Sequence, residues 1–361
     1  MRNASDFILI LYRRMGLYTC SSVFLLFVLG ALVRATGSGM GCPDWPKCFG
    51  MWAPPICECD LPANYQTIFL EKRLQKVERL AVITNQLGLH KTAMELRNDP
   101  SIRIPEVFHP VKAWIEYINR LFGVLAGLFG FCYLALMLIY RKQILNGKTW
   151  GVLAFVLLIL NGWLGSLVVS TNLLHGIVTL HFLLSFLCLF SFMASLHAFR
   201  NFSFQNTDLI STHQYFALWV SVFLIVIMGA WTREQVDAMR ANGTLFAGGE
   251  KDFLGYGILN VYAMDFVFSL HRYLPFLLLA WMIFLLKKAQ KTGITQLVSY
   301  HNPILIIAAL ASTQIALGIV HIWFVVPAWT QVLHVVVAGA LISIIFALYL
   351  SSRTKVSFLQ A

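Results

Sequence analysis

Residues 150–198 read WGVLAFVLLILNGWLGSLVVSTNLLHGIVTLHFLLSFLCLFSFMASLHA and contain no Asp, Glu, Lys or Arg. Within this stretch lie two apolar runs, 150–169 and 174–198. About 20 apolar residues are enough for a helix to cross a bilayer. The stretch therefore predicts two transmembrane helices joined by a short turn.

Six further apolar runs of similar length occur outward from this pair, at 16–33, 114–139, 212–231, 262–286, 303–325 and 329–350. Hydrophobic residues make up 58% of the chain and charged residues 12%, with a mean hydropathy of +0.72. A soluble domain has about a quarter charged residues. The first run lacks a small-residue cleavage site, so we expect it to be retained. The sequence predicts an all-α, polytopic membrane protein with eight transmembrane helices.

Basic residues concentrate at the N-terminus, in the turns after the second, fourth and sixth crossings, and in the C-terminal tail. The positive-inside rule then predicts a multi-pass protein of the cell membrane with both termini cytoplasmic and the first loop, residues 35–113, outside. That loop has nearly balanced charge, with nine Lys or Arg and eight Asp or Glu. The net charge of +11 therefore reflects topology, and we expect membrane lipid but no nucleic acid as a partner.

One segment of the first loop has a helical pattern of apolar residues. Over residues 66–98 they recur at helical spacing with charges between them, which predicts an amphipathic helix on the outer surface. A surface helix and a lid over a site fit the pattern equally well. Its role stays open at this level.

An internal repeat relates the two halves of the chain. Asn161-Gly-Trp-Leu-Gly165 is followed sixteen residues later by His181, and Gln314-Ile-Ala-Leu-Gly318 is followed sixteen residues later by His334. Upstream, Asn119-Arg120 precedes His181 by 62 residues, and His271-Arg272 precedes His334 by 63. The repeat predicts two four-helix bundles, an N-terminal half at 1–205 that includes the outer loop and a C-terminal half at 206–361.

The four matched positions, Asn119, His181, His271 and His334, fall in the first turns of helices that all run inward, at one depth near the outer leaflet. Polar groups at this depth are costly unless they face partners inside a bundle, which makes them functional candidates. For His271 and His334 the pattern favours two imidazole ligands of one heme iron. Arg272 is then a candidate partner for a heme propionate. The alternative is a pair of hydrogen-bonded interhelical histidines.

The N-terminal half departs from this symmetry, because an asparagine stands where the repeat predicts a histidine. Amides are poor ligands of heme iron, so His181 would hold an iron from one side only. Glu116 lies one turn from Asn119 and is a candidate general acid or base beside a substrate. An interfacial ion pair with Arg120, at i,i+4, explains Glu116 equally well.

Four cysteines lie in the outer loop, at positions 42, 48, 57 and 59, and allow three disulfide pairings. An oxidising compartment favours disulfides, and a metal site is the alternative. Two other protein classes share the buried polar pattern. A quinol-linked cytochrome b that only transfers electrons would contain the same histidines, and a secondary transporter would also have repeated bundles.

Several motifs together resemble the heme A synthase family. They are residues 34–48 (RATGSGMGCPDWPKC), residues 116–120 (EYINR), the segment from Gly165 to His181, His271-Arg272, and the segment from Gln314 to His334. The resemblance covers nearly the whole chain except the insertion at 57–112. It implies oxidation of the C8 methyl group of heme O to a formyl group, which yields heme A for terminal oxidases.

The resemblance also assigns roles to residues. It implies that His271 and His334, with Arg272, hold a b-type heme that transfers electrons. It places heme O, the substrate, at His181 with Asn119 and Arg120, with Glu116 as the catalytic residue, although Asn119 replaces the family's usual histidine. It implies a Cys42–Cys48 disulfide. We expect the heme O synthase that supplies the substrate to be a partner, while the electron donor and a homo-oligomeric state stay open.

Overall fold

The computed structural model of the protein describes residues 2–140, 147–171, 176–200, 211–245, 259–291 and 303–359. Ten α-helices and no β-strand occur within these residues. They are α1 (Arg2–Ala35), α2 (Tyr65–Gln86), α3 (His90–Asn98), α4 (Pro110–Ile139), α5 (Lys148–Ser170), α6 (Ile177–Arg200), α7 (Thr212–Ala241), α8 (Phe266–Lys291), α9 (Pro303–Trp323) and α10 (Ala328–Leu359).

Eight of these helices, α1 and α4 to α10, are long and apolar enough to cross a membrane, counted over the described ranges. They coincide with the eight apolar runs of the sequence. Their apolar side chains remain largely outside the protein interior, as a lipid environment allows and water does not. The predicted fold class is confirmed, and the chain is a multi-pass membrane protein.

The chain divides into two compact units. One consists of Arg14–Ala135 and Leu153–Cys188, and it contains most of α1, α4 and α5 and the first half of α6. In this unit each helix contacts two neighbours: α1 with α4 (Tyr18–Phe129), α1 with α6 (Phe27–Phe186), α4 with α5 (Phe131–Phe155) and α5 with α6 (Asn161–Ser185). The four helices form a closed ring of contacts.

The other unit consists of Met1–Arg13, Leu136–Val152 and Leu189–Ala361 and contains α7 to α10. Here α7 packs against α8 and α10, and α9 packs against the same two helices. These four helices also form a closed ring. The repeat relation between the two halves stays a prediction, and its proposed boundary at 205/206 lies outside the described residues.

The loop between α1 and α4 is folded and helical. The single helix predicted over 66–98 is divided into α2 and α3, with Leu87, Gly88 and Leu89 between them. Gly88 has φ +80°, a left-handed conformation that glycine adopts without the steric cost of a Cβ atom, and this ends α2. The apolar pattern of 66–98 continues through this break because α3 turns its own apolar residues, Ala93 and Leu96, into the loop interior.

A buried stripe on α2 holds the loop together. Its residues recur every four positions and are Tyr65, Phe69, Arg73, Val77 and Ala81. Phe49 packs edge-to-face against Tyr65 and Phe69 at 5.8 and 5.4 Å between ring centroids. Arg73 is buried and pairs with Glu106 at 3.4 Å, which compensates part of the cost of burying its charge. The loop thus packs onto the segment that carries Cys42 and Cys48.

Candidate functional site

His271 and His334, the pair predicted from the repeat, lie side by side in one bundle. His271 is in the second turn of α8 and His334 in the second turn of α10. Their ring centroids are 6.3 Å apart, and the ring planes are inclined by 71°. Two helices that are both packed against α7 and α9 thus present imidazoles to each other.

The backbone around His271 selects the tautomer of its ring. Nδ1 lies 3.0 Å from the carbonyl oxygen of Ile225 on α7, so Nδ1–H donates to that oxygen. A ring that donates from Nδ1 has its lone pair on Nε2, the arrangement found in most metal-bound histidines. Gly229, one turn further along α7, lies directly against this ring: a Cβ atom there would be 2.8 Å from Cε1 of His271.

His334 is held through its backbone. The side-chain amide of Gln314 on α9 donates to the carbonyl oxygen of His334 at 2.7 Å. Nδ1 of His334 is buried and has no hydrogen-bond partner among the described residues. Nothing within the described part of the chain forms a cluster of three or more protein metal ligands.

His271 and His334 lie close enough together that both imidazoles could hold one heme iron. Two metal–nitrogen bonds of about 2 Å each, together with the half-widths of the rings, come close to the 6.3 Å between the ring centroids. The lone pair on Nε2 of His271, which the bond from Nδ1–H to Ile225 leaves free, also suits metal ligation. The donor set, two neutral imidazoles in an apolar bundle, is one that heme iron accepts.

His181 occupies a comparable local setting in the other unit. It lies in the second turn of α6, and a Cβ atom on Gly165 of α5 would be 3.3 Å from its Cε1. The amide of Asn161 donates to Ser185 at 2.6 Å, and Ser185 donates to the carbonyl oxygen of His181 at 2.7 Å. Asn161 matches Gln314 in the sequence repeat. Gln314 reaches the carbonyl oxygen of His334 directly, whereas the shorter Asn161 is connected to the carbonyl oxygen of His181 through the hydroxyl of Ser185.

Asn119 and His181 both carry polar atoms without partners. Oδ1 of Asn119 and Nδ1 of His181 are buried and make no hydrogen bond within the described residues. Buried polar atoms are seldom left unpaired in a native protein, so their presence is consistent with a ligand that supplies partners. No hydrogen bond joins Asn119 to His181 directly.

Glu116 and Arg120 form an ion pair, as the i,i+4 alternative to a catalytic role of Glu116 predicted. Oε1 of Glu116 accepts a hydrogen bond from Nη2 of Arg120, and Oε2 accepts one from the backbone N–H of Cys42 at 2.8 Å. The Arg120 guanidinium also donates to the carbonyl oxygens of Asp44, Lys47 and Cys42 at 2.6, 3.0 and 2.9 Å. These bonds clamp the segment 42–48 onto the start of α4.

Cys42 and Cys48 are bonded to each other, with an S–S distance of 2.03 Å. Both residues are 0% exposed and belong to the aromatic cluster around Phe49. A thiol partner in solution could not reach this disulfide without unfolding the segment. The disulfide therefore fixes the shape of the clamped segment. Cys57 and Cys59 also form a disulfide, on the exposed side of the loop.

Arg272, the candidate partner for a heme propionate, directly follows His271 on α8. Its side chain is exposed, and its guanidinium lies over the ring of Tyr273 at 5.2 Å from the centroid. In contrast to Arg120, it makes no ion pair within the described residues.

Asp265 fixes the start of the helix that carries His271. Its carboxylate accepts hydrogen bonds from the backbone N–H of Phe268 at 3.0 Å and from the indole N–H of Trp231 at 2.9 Å. Burial raises the pKa of Asp265, but these hydrogen bonds outweigh it and hold the pKa below the ordinary value of 3.8. The carboxylate thus stabilises the first turn of α8 in its charged form.

Sequence reasoning missed Gly229 and the ion pair of Arg233 with Asp237, which is 2.8 Å long. The sequence did contain a signal for Gly229 and Arg233. Residues 30–34 read GALVR and residues 229–233 read GAWTR, so Gly30 and Arg34 on α1 match Gly229 and Arg233 on α7. No Cβ atom at Gly30 would contact anything within 4 Å, in contrast to Gly229.

Most of the chain matches the model of one protein family. Residues 13–74 and 81–346 match the COX15-CtaA family, described as cytochrome oxidase assembly protein. The chain belongs to this family. The match includes the clamped segment, Glu116 and all three histidines.

A curated relative of this COX15-CtaA chain is the heme A synthase of Shewanella oneidensis, with 24% identity over 159 residues. The alignment spans 44% of the present chain and 37% of that relative's length. Because so much of the relative is uncovered, its name bears on the activity of the present chain only as a proposal.

Proposed function

We propose that this protein is a heme A synthase, a membrane oxidoreductase that converts the C8 methyl group of heme O to a formyl group. The paired imidazoles of His271 and His334, 6.3 Å apart, carry the proposal, together with membership of the COX15-CtaA family. The curated relative named heme A synthase supports it. The protein would act in the cell membrane, with both termini cytoplasmic and the loop 35–113 outside.

In the C-terminal half, His271 and His334 would hold a b-type heme. When bound, this heme would supply one-electron transfer between a donor and the substrate site. Ile225 keeps the proton of His271 on Nδ1, and Gly229 leaves room for the ring. Gln314 fixes the backbone of His334. Each contact sets the position of a ligand before the cofactor binds.

In the N-terminal half, His181 would hold the substrate heme O from one side, because Asn119 is a poor ligand. A single ligand suits a substrate that must enter and leave. The unpartnered Oδ1 of Asn119 is available to accept a hydrogen bond from a polar group of the substrate or from water. Heme O itself, and the heme O synthase that delivers it, are the partners we propose.

Glu116 is the catalytic residue in this proposal, and its present contacts define how it would act. Both carboxylate oxygens accept hydrogen bonds, from Arg120 and from Cys42. As long as these bonds persist, Glu116 holds the segment 42–48 in place. Proton transfer by Glu116 requires that one oxygen exchange its partner for the substrate or a water molecule.

A pair of variants tests the role of Glu116. Conversion of heme O to heme A is measured in membranes that contain the wild type, Glu116→Gln or Arg120→Lys, with b-type heme content as the control for folding. Glu116→Gln removes the ionisable group, whereas Arg120→Lys keeps the carboxylate but weakens the clamp. We expect Glu116→Gln to lower conversion far more than Arg120→Lys. Equal losses would mean that the residue acts only through the clamp, and unchanged conversion in Glu116→Gln would remove it from the reaction.

A second candidate is a membrane cytochrome b that transfers electrons without modifying a heme. The engagement of both Glu116 oxygens favours it, since such a protein needs no free acid or base. The same measurement separates the two functions, because an electron carrier forms no heme A.

A further inference from the structure

A third histidine, His321, lies beside the proposed heme ligands. It is in the last turn of α9, and its ring centroid is 5.0 Å from that of His334, with the planes inclined by 55°. Its Nε2 atom is buried and has no hydrogen-bond partner among the described residues. The proposed function uses His271 and His334 and leaves His321 without a role.

The unpartnered Nε2 of His321 can donate or accept a hydrogen bond, depending on which ring nitrogen carries the proton. A neutral imidazole with its proton on Nδ1 has a lone pair on Nε2. In this tautomer Nε2 of His321 is a hydrogen-bond acceptor.

His334, as a metal ligand, would require a hydrogen-bond acceptor for its Nδ1–H group. A histidine that ligates a metal through Nε2 carries its proton on Nδ1, and that N–H nearly always donates to an acceptor that fixes the ring and makes it more basic. His271 has such an acceptor in the carbonyl oxygen of Ile225. Nδ1 of His334 has none within the described residues. The neighbouring unpaired acceptor is Nε2 of His321.

We propose that His321 is a positioning residue that accepts the hydrogen bond of His334 Nδ1–H, directly or through one water molecule, and thereby strengthens His334 as a heme ligand. The proposal rests on the proposed function, because it requires that His334 bind a heme iron. Ring centroids 5.0 Å apart leave facing ring nitrogens within reach of a direct or water-mediated hydrogen bond.

The sequence confines this arrangement to one half of the chain. His321 precedes His334 by 13 residues, and the residue 13 positions before His181 is Val168, which cannot accept a hydrogen bond from its side chain. A reinforced ligand suits a cofactor that stays bound through many turnovers. An unreinforced ligand at His181 suits a substrate that is released. The difference between the halves therefore matches their proposed roles.

The test uses the full-length protein purified in detergent, with three variants. His321→Leu removes the acceptor, His321→Gln retains an acceptor oxygen at a similar position, and Ile322→Leu is an apolar control on the same helix. The rate of transfer of b-type heme to excess apomyoglobin and the midpoint potential of the low-spin heme are measured for each. Neither quantity depends on conversion of heme O.

We expect His321→Leu to keep a six-coordinate low-spin heme that is lost about tenfold faster than in the wild type, the usual scale for removing an outer hydrogen-bond partner. The less basic His334 should also favour the reduced iron, with about a tenfold change in the ratio of oxidised to reduced heme at a fixed potential, or ~59 mV for one electron. His321→Gln should restore most of both properties, and Ile322→Leu should match the wild type.

Two results would overturn the inference while leaving the proposed function intact. One is a wild-type rate of heme loss and midpoint potential in His321→Leu. The other is loss of the six-coordinate signal in His321→Leu together with its retention in His271→Ala, which would make His321 itself a ligand. Absence of b-type heme from the wild-type protein would instead refute the proposed function, and the inference with it.

Discussion

A methyl group added at Gly229 would clash with His271, one of the two proposed ligands of the b-type heme. In Gly229→Ala the new Cβ atom would lie 2.8 Å from Cε1 of His271 and 3.3 Å from both ring nitrogens. A contact of 2.8 Å forces the imidazole to move. The movement weakens the hydrogen bond from Nδ1 to the carbonyl oxygen of Ile225, which is now 3.0 Å long.

The expected cost follows from these two contacts. Overpacking by one methyl group costs about 1–3 kcal/mol, and the weakened hydrogen bond adds about 1 kcal/mol. Against this, alanine stabilises a helix by about 1 kcal/mol relative to glycine. The net loss is about 2 kcal/mol, which corresponds to about 30-fold weaker retention of b-type heme.

The assay is the b-type heme content and low-spin spectrum of the purified variant, with two glycine variants for comparison. Gly318→Ala on α9 meets nothing within 4 Å, so we expect wild-type heme content and equal or greater thermal stability. Gly165→Ala, at 3.3 Å from His181, should leave the b-type heme unchanged because it lies in the other half. Full heme retention in Gly229→Ala would refute the packing argument, and equal losses in all three variants would indicate a general folding defect.

Three further predictions concern the ligands, the disulfide and the start of α8. His271→Ala or His334→Ala should remove the low-spin b-type spectrum from a protein that still inserts into membranes; a full bis-histidine spectrum in either variant would contradict the assignment. Cys42→Ser or Cys48→Ser should lower the free energy of unfolding by about 2 kcal/mol. When native membranes are treated with an alkylating reagent and mapped by mass spectrometry, Cys42 and Cys48 of the wild type should be found unalkylated and joined by a disulfide. Asp265→Ala should lower the free energy of unfolding by about 1 kcal/mol above pH 4. Because the pKa of Asp265 in the folded protein lies below 3.8, this difference between variant and wild type should shrink as the pH falls through that pKa. Thermal unfolding at several pH values measures the difference.

The transmembrane helices were predictable from the sequence because each has to satisfy the same constraint locally. A helix in lipid needs about 20 apolar residues in succession, whatever its neighbours are. All eight runs therefore appear as helices in the described residues. The divided loop helix was not predictable in the same way. The apolar residues of 66–98 keep their helical spacing across Gly88, so their pattern does not reveal that this residue is left-handed and separates α2 from α3.

The pairing of His271 with His334 could be predicted from the sequence, but the residues packed around the two rings could not. Equal spacing in two halves indicated His271 and His334 because matched histidines at one depth are rare by chance. Gly229 and His321 act through close approach and ring geometry, which spacing does not reveal. For Glu116 the sequence left two roles open, a general acid or base beside a substrate and the i,i+4 ion-pair partner of Arg120. The hydrogen bond from the backbone N–H of Cys42 to Glu116 appears only in three dimensions.

The most direct test of the proposed heme A synthase is the identity of the hemes in the purified full-length protein. Porphyrins are extracted with acidified acetone, separated by chromatography and quantified beside a pyridine hemochrome spectrum. The proposal predicts heme B together with heme O or heme A, and conversion of added heme O to heme A when electrons are supplied. Heme B alone, with added heme O recovered unchanged, would contradict it and would favour a membrane cytochrome b.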